Sequence, residues 1–259
     1  MDPLVKPEDD KKREADERSS VMKNIITIIK REYLAYFTSP IAYVYLLTFL
    51  SLSVWLFFKS FFLLGQATMR SFFTLMPWMF LFFIPAVSMS KWSEERKQGT
   101  LEILLTLPLR DYEIVLAKFF AGLLLILTAL VLSFSIPLTV SLLGNLDWGS
   151  VVGAYLGLLF LGASYLSLGL VVSSLTENQI IAFIGGVVVC FLFFMMGTPL
   201  ITGGSNSGLS QFFQYLGMSM HFESIARGVL DSRDLLYSLS FIGFFLFVNV
   251  KILSIKARR

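Results

Sequence analysis

Cysteine and histidine each occur once in the 259-residue chain, as Cys190 and His221. A single thiol forms no intrachain disulfide and is a poor start for a metal site. Cys190, inside an apolar run, reads as a small buried apolar residue, and His221 lacks evident partners for metal or proton chemistry. No cofactor is expected. Charge is also scarce: 15% of residues are Asp, Glu, Lys or Arg, against about 25% in ordinary soluble domains. No G-x-x-x-x-G-K-[ST] phosphate loop occurs. Without that backbone cradle and its lysine the chain does not bind and hydrolyse ATP by itself. Nor does a carboxylate fall in the middle of a long apolar run, which argues against a proton- or sodium-driven carrier.

Apolar residues, at 56% of the chain, fall instead in blocks longer than a soluble core helix needs. Crossing a hydrocarbon layer of about 30 Å takes roughly 20 helical residues. Six blocks are candidates, at residues 41–64, 72–90, 119–143, 151–175, 179–199 and 235–253. Pro77 and Pro85 interrupt the second, and Pro137 predicts a kink in the third. Gly153 and Gly157, with Gly162 beyond, offer the fourth a face for close packing. The 26 phenylalanines read as lipid-facing and packing residues. The expected fold is an all-α integral membrane protein of six transmembrane helices.

Residues 1–21 are dense in charge (Asp9, Asp10, Lys11, Lys12, Arg13, Glu14) and nearly free of apolar residues, so disorder is expected there. Met22 offers an alternative start, which would make the preceding stretch an extension. From Met22 the pattern changes. Ile25, Ile26, Ile29, Tyr33 and Phe37 recur at helical spacing, with Lys23, Lys30 and Arg31 mostly opposite. This predicts an amphipathic helix lying along the membrane surface. Ser39 and Pro40 supply a cap and a first-turn proline for the first span. Residues 22–259 are read as one transmembrane domain.

Lysine and arginine set the orientation. Lys23, Lys30 and Arg31 precede the first span; Lys91, Arg96, Lys97, Arg110 and Lys118 join the second to the third; Lys251, Lys256, Arg258 and Arg259 end the chain. The opposite side carries Arg70. Both termini are therefore expected in the cytoplasm.

The most informative stretch is 90–118, SKWSEERKQGTLEILLTLPLRDYEIVLAK. It is charged to Gln98, breaks at Gly99 and restarts as a short helix with Leu101, Leu104 and Leu105 on one face and Glu102 opposite. Pro108 stops it, and Asp111 is placed to cap the third span. A short amphipathic helix pinned between two spans suits docking into a groove of a soluble partner; a loop that merely connects is the plainer alternative.

The pattern Glu94-Glu95-Arg96-Lys97-x-Gly99-Thr100-Leu101-Glu102-x-Leu104-Leu105-x-x-Pro108, ahead of Lys118, resembles the signature of ABC-2-type transporter permeases. Further segments, SPIAYVYLLTFL, SSLTENQ and HFESIARGVLDSRDLLY, are similar to the gliding-motility type of that family. The resemblance covers residues 22–259 and implies a type V exporter-like permease fold in a bacterial inner membrane. It implies a permease that pairs with a second permease chain, the same or different, each docking one ATP-binding cassette ATPase subunit. Residues 22–37 would be a connecting helix, 94–108 the main coupling helix and 173–179 a second, shorter contact. Glu94, Glu95, Gly99, Thr100, Glu102 and Pro108 are carried over as coupling positions, not catalytic ones. Lipid is the other partner, and nucleic acid is not expected.

On the outer side, Gly203 to Gly208 read as a turn. Residues 211–220 and 221–230 read as helical, with Glu223 and Arg227 spaced to pair. Asp231 and Ser232 are placed to cap the last span. The resemblance makes this region a set of re-entrant helices closing the outer mouth, with His221, Glu223 and Arg227 as candidate gate residues. Two rivals remain open: a membrane scaffold anchoring a soluble complex through 90–118, and a secondary carrier. Glycine- and proline-broken spans weigh against the first and missing mid-membrane charges against the second.

Overall fold

The computed structural model describes residues 7–64, 68–101, 110–198, 208–226 and 231–256. Among these, eleven helices and no strand occur. In chain order they are α1 (Pro7–Thr38), α2 (Pro40–Leu64), α3 (Arg70–Ser88), α4 (Ser90–Lys97), α5 (Asp111–Ser133), α6 (Ser135–Leu143), α7 (Trp148–Leu175), α8 (Gln179–Met195), α9 (Gly208–Leu216), α10 (Met218–Ala226) and α11 (Ser232–Lys256). Of the turn expected at Gly203 to Gly208, all but Gly208, the first residue of α9, lies outside the described residues, as do Glu102, Pro108 and Arg227.

Five helical stretches are long and apolar enough to cross a membrane: Pro40–Phe62, Arg70–Lys97, Asp111–Leu143, Trp148–Leu175 and Ser232–Lys256. α8 is apolar too but has 17 residues, about 25 Å at 1.5 Å per residue. Its early end has a tertiary cause. A Cβ on Gly217 would lie 2.0 Å from the Gly197 nitrogen, so the chain after α8 closes directly on the α9–α10 junction. Both positions need glycine for this approach. α10 then packs on α7, where a Cβ on Gly157 would meet Ile225 at 2.7 Å. The close-packing face expected on the fourth span is thus occupied at Gly157 by a helix of the outer segment.

α7 is the hub, packed against α3, α4, α5, α8, α10 and α11. Gly169 brings it close enough to α3 that a Cβ there would sit 2.1 Å from the Ser88 hydroxyl. The surface is inverted relative to a soluble protein. Ile41, Val44, Leu47, Trp55, Ile180, Ile184, Leu236 and Phe247 are exposed, while Ser53, Ser88, Ser133, Ser164, Ser167 and Asn249 are buried. Apolar flanks with small polar groups inside suit packing in lipid.

The kink in the third span lies where Pro137 predicts it. Proline leaves the carbonyl four residues back without its helical donor; the helix breaks at Phe134, and the Tyr155 hydroxyl donates to the Ser133 carbonyl at 3.2 Å. The Ser39 hydroxyl accepts from the Ile41 N–H at 3.3 Å, as its capping position requires. Asp231 accepts from the Arg233 N–H at 2.9 Å in the same role. Asp111 differs from expectation. It is the first residue inside α5, after an Arg110 that makes no side-chain cap, and its carboxylate acts on the first-turn dipole instead.

α1 also differs, since it begins at Pro7 and runs unbroken through the charged leader into the surface helix. The leader's spacing accounts for this. Pro7 suits a first turn, Glu8, Asp9 and Asp10 suit the positive end of the helix, and Glu8, Asp9 and Glu14 each stand four residues before Lys12, Arg13 and Arg18.

Candidate functional site

At the basic end of the bundle, three segments distant in sequence meet around two lysines. α1 presents Glu32 and Tyr36, one helical turn apart; α4 presents Lys91, Trp92 and Glu95; α5 presents Lys118. Lys91 Nζ donates to Glu32 Oε2 at 2.8 Å. Lys118 Nζ lies 3.6 Å from Glu32 Oε1 and 2.5 Å from Glu95 Oε1, and donates to the Lys91 carbonyl at 3.0 Å. Each ammonium also faces a ring: Lys91 is 3.8 Å from the Tyr36 centroid and Lys118 is 4.7 Å from that of Trp92.

Lys118 is 2% exposed, and a cation so deep is tolerated only with this many partners. Burial by itself raises the Glu32 carboxyl. The charges of Lys118 and Lys91, with the hydrogen bonds they make, outweigh it and hold the group below the usual carboxylate value. Tyr33 adds a 2.9 Å hydrogen bond to Thr128 on α5. The surface helix is therefore fastened to the span that follows the 90–118 stretch.

Beside this cluster, α4 runs on from α3 as a helical extension carrying the charged residues 90–97. Its N-cap, Met89, offers no side-chain acceptor, so the first-turn N–H groups need partners from elsewhere. Ser173, at the end of α7, supplies one. Its hydroxyl accepts from the N–H of Trp92 at 3.2 Å and of Ser93 at 3.3 Å, and donates to the Met89 carbonyl at 2.9 Å. Arg96 reaches the same turn, 3.3 Å from Glu177 Oε1 and 3.4 Å from the Leu175 carbonyl. Lys256, at the end of α11, donates to the Ser174 carbonyl. Residues 94–100 and the turn between α7 and α8, separate in the sequence, form one continuous surface.

The expected coupling residues take distinct places on it. Glu94 is half-buried and accepts from Gln98 at 3.3 Å. Glu95 turns inward to Lys118, with its second oxygen buried and unpaired. Gly99 has φ +69°, and a Cβ there would meet nothing within 4 Å; the left-handed helix end, not crowding, requires glycine. Thr100 is exposed and donates to the Glu95 carbonyl at 3.2 Å, while Leu101 is buried. Sequence reasoning singles out neither Glu32, Lys91 nor Ser173 individually as a site residue. The signal for Glu32 is an acidic residue within an otherwise basic polar face.

At the opposite end, His221 Nδ1 lies 2.7 Å from Asp234 Oδ1 and Nε2 lies 2.9 Å from the Tyr215 carbonyl. The ring stacks on Tyr237 at 3.8 Å, and the Tyr237 hydroxyl donates to the Leu216 carbonyl at 2.6 Å. His221 thus ties α9, α10 and α11 together; Glu223 is exposed on α10.

No His, Cys, Asp and Glu grouping suited to a metal ion occurs among the described residues. Among the described residues the arrangement is a charged platform at one end of a lipid-facing bundle. The family profile of the ABC-2 family transporter proteins matches residues 63–248, most of the chain. No curated protein matches significantly. The chain belongs to the ABC-2 transporter family.

Proposed function

We propose that this ABC-2 family member, a multi-pass membrane component of a transporter and not itself catalytic, is driven by a separate ATP-binding subunit docked on the platform of residues 94–108 and 173–179. The observation that carries the proposal is the Ser173 junction, which caps α4 from α7 and sets residues 94–100 beside the turn between α7 and α8. A force applied there reaches α3, α5 and α7 together, and α1 through Glu32. The missing phosphate loop supports a partner as the source of ATP chemistry. With Lys and Arg gathered at this end, it faces the cytoplasm, and both termini lie there.

In this proposal the partner closes on ATP and the platform tilts the spans. Two permease chains, identical or different, enclose one pathway, because six apolar helices are few for a complete one. The direction is export or mechanical work on an extracytoplasmic cargo, in a bacterial inner membrane. Likeness to the gliding-motility type supports a second, different permease chain. Glu94, Gly99, Thr100, Glu102 and Pro108 set the docking surface, and Glu95 stiffens it from within. His221 and Glu223, with Arg227, shape the outer gate.

The test is affinity purification from native membranes with an ATPase assay, using the wild type and Glu102→Arg. An ATP-binding subunit that co-purifies with the wild type and is lost or uncoupled in the variant is the expected result. A chain that purifies alone, with no ATPase activity, supports the scaffold instead.

A further inference from the structure

α2 turns an unusual set of residues away from the bundle. Thr48, Ser51, Trp55 and Lys59 recur at three- and four-residue spacing and are all exposed, so they share one face of the helix. Ser51, Trp55, Phe58, Lys59 and Phe62 line an open groove of about 650 Å³ along that face. Hydroxyls on the two sides of the helix differ. On the bundle side, Ser53 donates to the Phe49 carbonyl at 2.6 Å and Ser60 to the Phe57 carbonyl at 3.0 Å. Among the described residues, Thr48 and Ser51 make no such bond back to their own helix. A hydroxyl turned unbonded toward hydrocarbon is costly unless a ligand meets it.

Lys59 is the single charge of α2. The helix starts at the basic end, directly after α1, and Lys59 stands about 28 Å further along it. The Phe57 ring meets Phe72 of α3 at 5.8 Å, which in an antiparallel pair sets Lys59 level with Arg70, the first residue of α3. Side chains on a helix lean toward its N-terminus, which for α2 is toward the middle of the bilayer. The Lys59 ammonium accordingly lies 5.5 Å from the Trp55 ring centroid, one turn deeper. No carboxylate pairs with it among the described residues, and residues 65–67 after the helix hold none. A cation at that depth is costly without an anion. A second copy of the chain is a poor source of one, because α8 and α11, the other helices with exposed apolar flanks, carry no exposed carboxylate. We propose that the groove binds one anionic phospholipid of the leaflet away from the platform. Its phosphate meets the Lys59 ammonium, and the Ser51 hydroxyl, deeper in the bilayer, donates to a glycerol ester carbonyl. The acyl chains run on along the exposed flank at Leu47 and Val44. The inference needs only the membrane placement of the chain, so it stands or falls separately from the docking of an ATP-binding subunit.

The experiment is fluorescence of the full chain in bilayers of equimolar phosphatidylglycerol and phosphatidylethanolamine, with brominated chains on one lipid or the other as the quencher. The signal of Trp55 is the difference between the wild type and Trp55→Phe. Brominated phosphatidylglycerol is expected to quench Trp55 as if enriched about fivefold over phosphatidylethanolamine, what one lysine beside an anionic headgroup is worth. Lys59→Gln is expected to lose the preference with an unchanged thermal midpoint, and Lys59→Arg to keep it. Arg70→Gln, which removes the cation level with Lys59 on α3, is expected to leave it unchanged. Equal quenching by the two lipids, a preference that survives Lys59→Gln, or one lost equally in Arg70→Gln overturns the proposal. So does a disulfide between copies through Ser51→Cys in native membranes, which would place a second chain on this face.

Discussion

Replacing Lys118 by methionine keeps the length of the side chain and removes its charge. The ammonium it deletes stands 2.5 Å from Glu95, 3.6 Å from Glu32 and 3.0 Å from the Lys91 carbonyl, and is 2% exposed. Glu32 keeps Lys91, but Glu95 is left facing Glu32 without a cation. Removing one partner of a fully buried pair costs about 3–5 kcal/mol. Glu95 and Glu32 are 25% and 20% exposed and recover part of their solvation, so Lys118→Met is expected to cost about 2–3 kcal/mol. For a chain of this size that lowers the thermal midpoint by about 5–10 °C. Adding Glu95→Gln removes the stranded charge and should leave a cost of about 1 kcal/mol, so that about 1–2 kcal/mol is recovered. The assay is reversible unfolding in mixed micelles followed by tryptophan fluorescence, since Trp92 lies beside the substituted side chain. Additive costs of the two substitutions, or a Lys118→Met protein as stable as the wild type, would refute the reasoning.

Other consequences are equally direct. Because the Glu32 carboxyl titrates below its ordinary value, its contribution is complete above about pH 4.3, the unfolded value, and is lost as pH falls through the lowered one. The wild type should therefore lose more of its unfolding midpoint below about pH 4 than Glu32→Gln does, while the difference between the two stays constant from pH 5 to pH 7. Gly217→Ala should separate α9 and α10 from the end of α8, since its Cβ falls 2.0 Å from Gly197 N. Faster proteolysis in 197–221 with the basic end unchanged is the expected readout. Asn249 is fully buried with neither amide atom bonded, so Asn249→Leu should raise stability by about 1–3 kcal/mol. A fall in the unfolding midpoint would mean the amide has a partner in the working complex.

Local signals make most of the fold legible. Apolar length marks the spans, Pro137 marks the kink, and Ser39 and Asp231 mark helix starts, because each acts within a few residues of itself. The same logic misplaces the end of α8: the run to Pro199 stays apolar, but the chain is turned by Gly197 meeting Gly217, a contact no local pattern records. Composition makes the charged leader look disordered, although the order of its acids and bases suits a helix. At the platform, the motifs propose 94–108 and 173–179 as contact segments, and Arg96 in the first lies beside Glu177 in the second. That Ser173 caps α4, and that Glu32 reaches Lys118, depends on partners about 80 residues apart in sequence. A lone serine near a helix end and a lone acid on a basic face carry no sign of a distant partner.

The most direct test of the central claim uses photo-cross-linking residues placed at Thr100 and at Glu177, one at a time, in native membranes. If both segments form one docking surface, both positions should capture the same ATP-binding protein, identified by its phosphate-loop peptide, and both adducts should weaken in Arg96→Glu. Capture of that protein from one position alone, or of lipid alone from both, would contradict the shared platform.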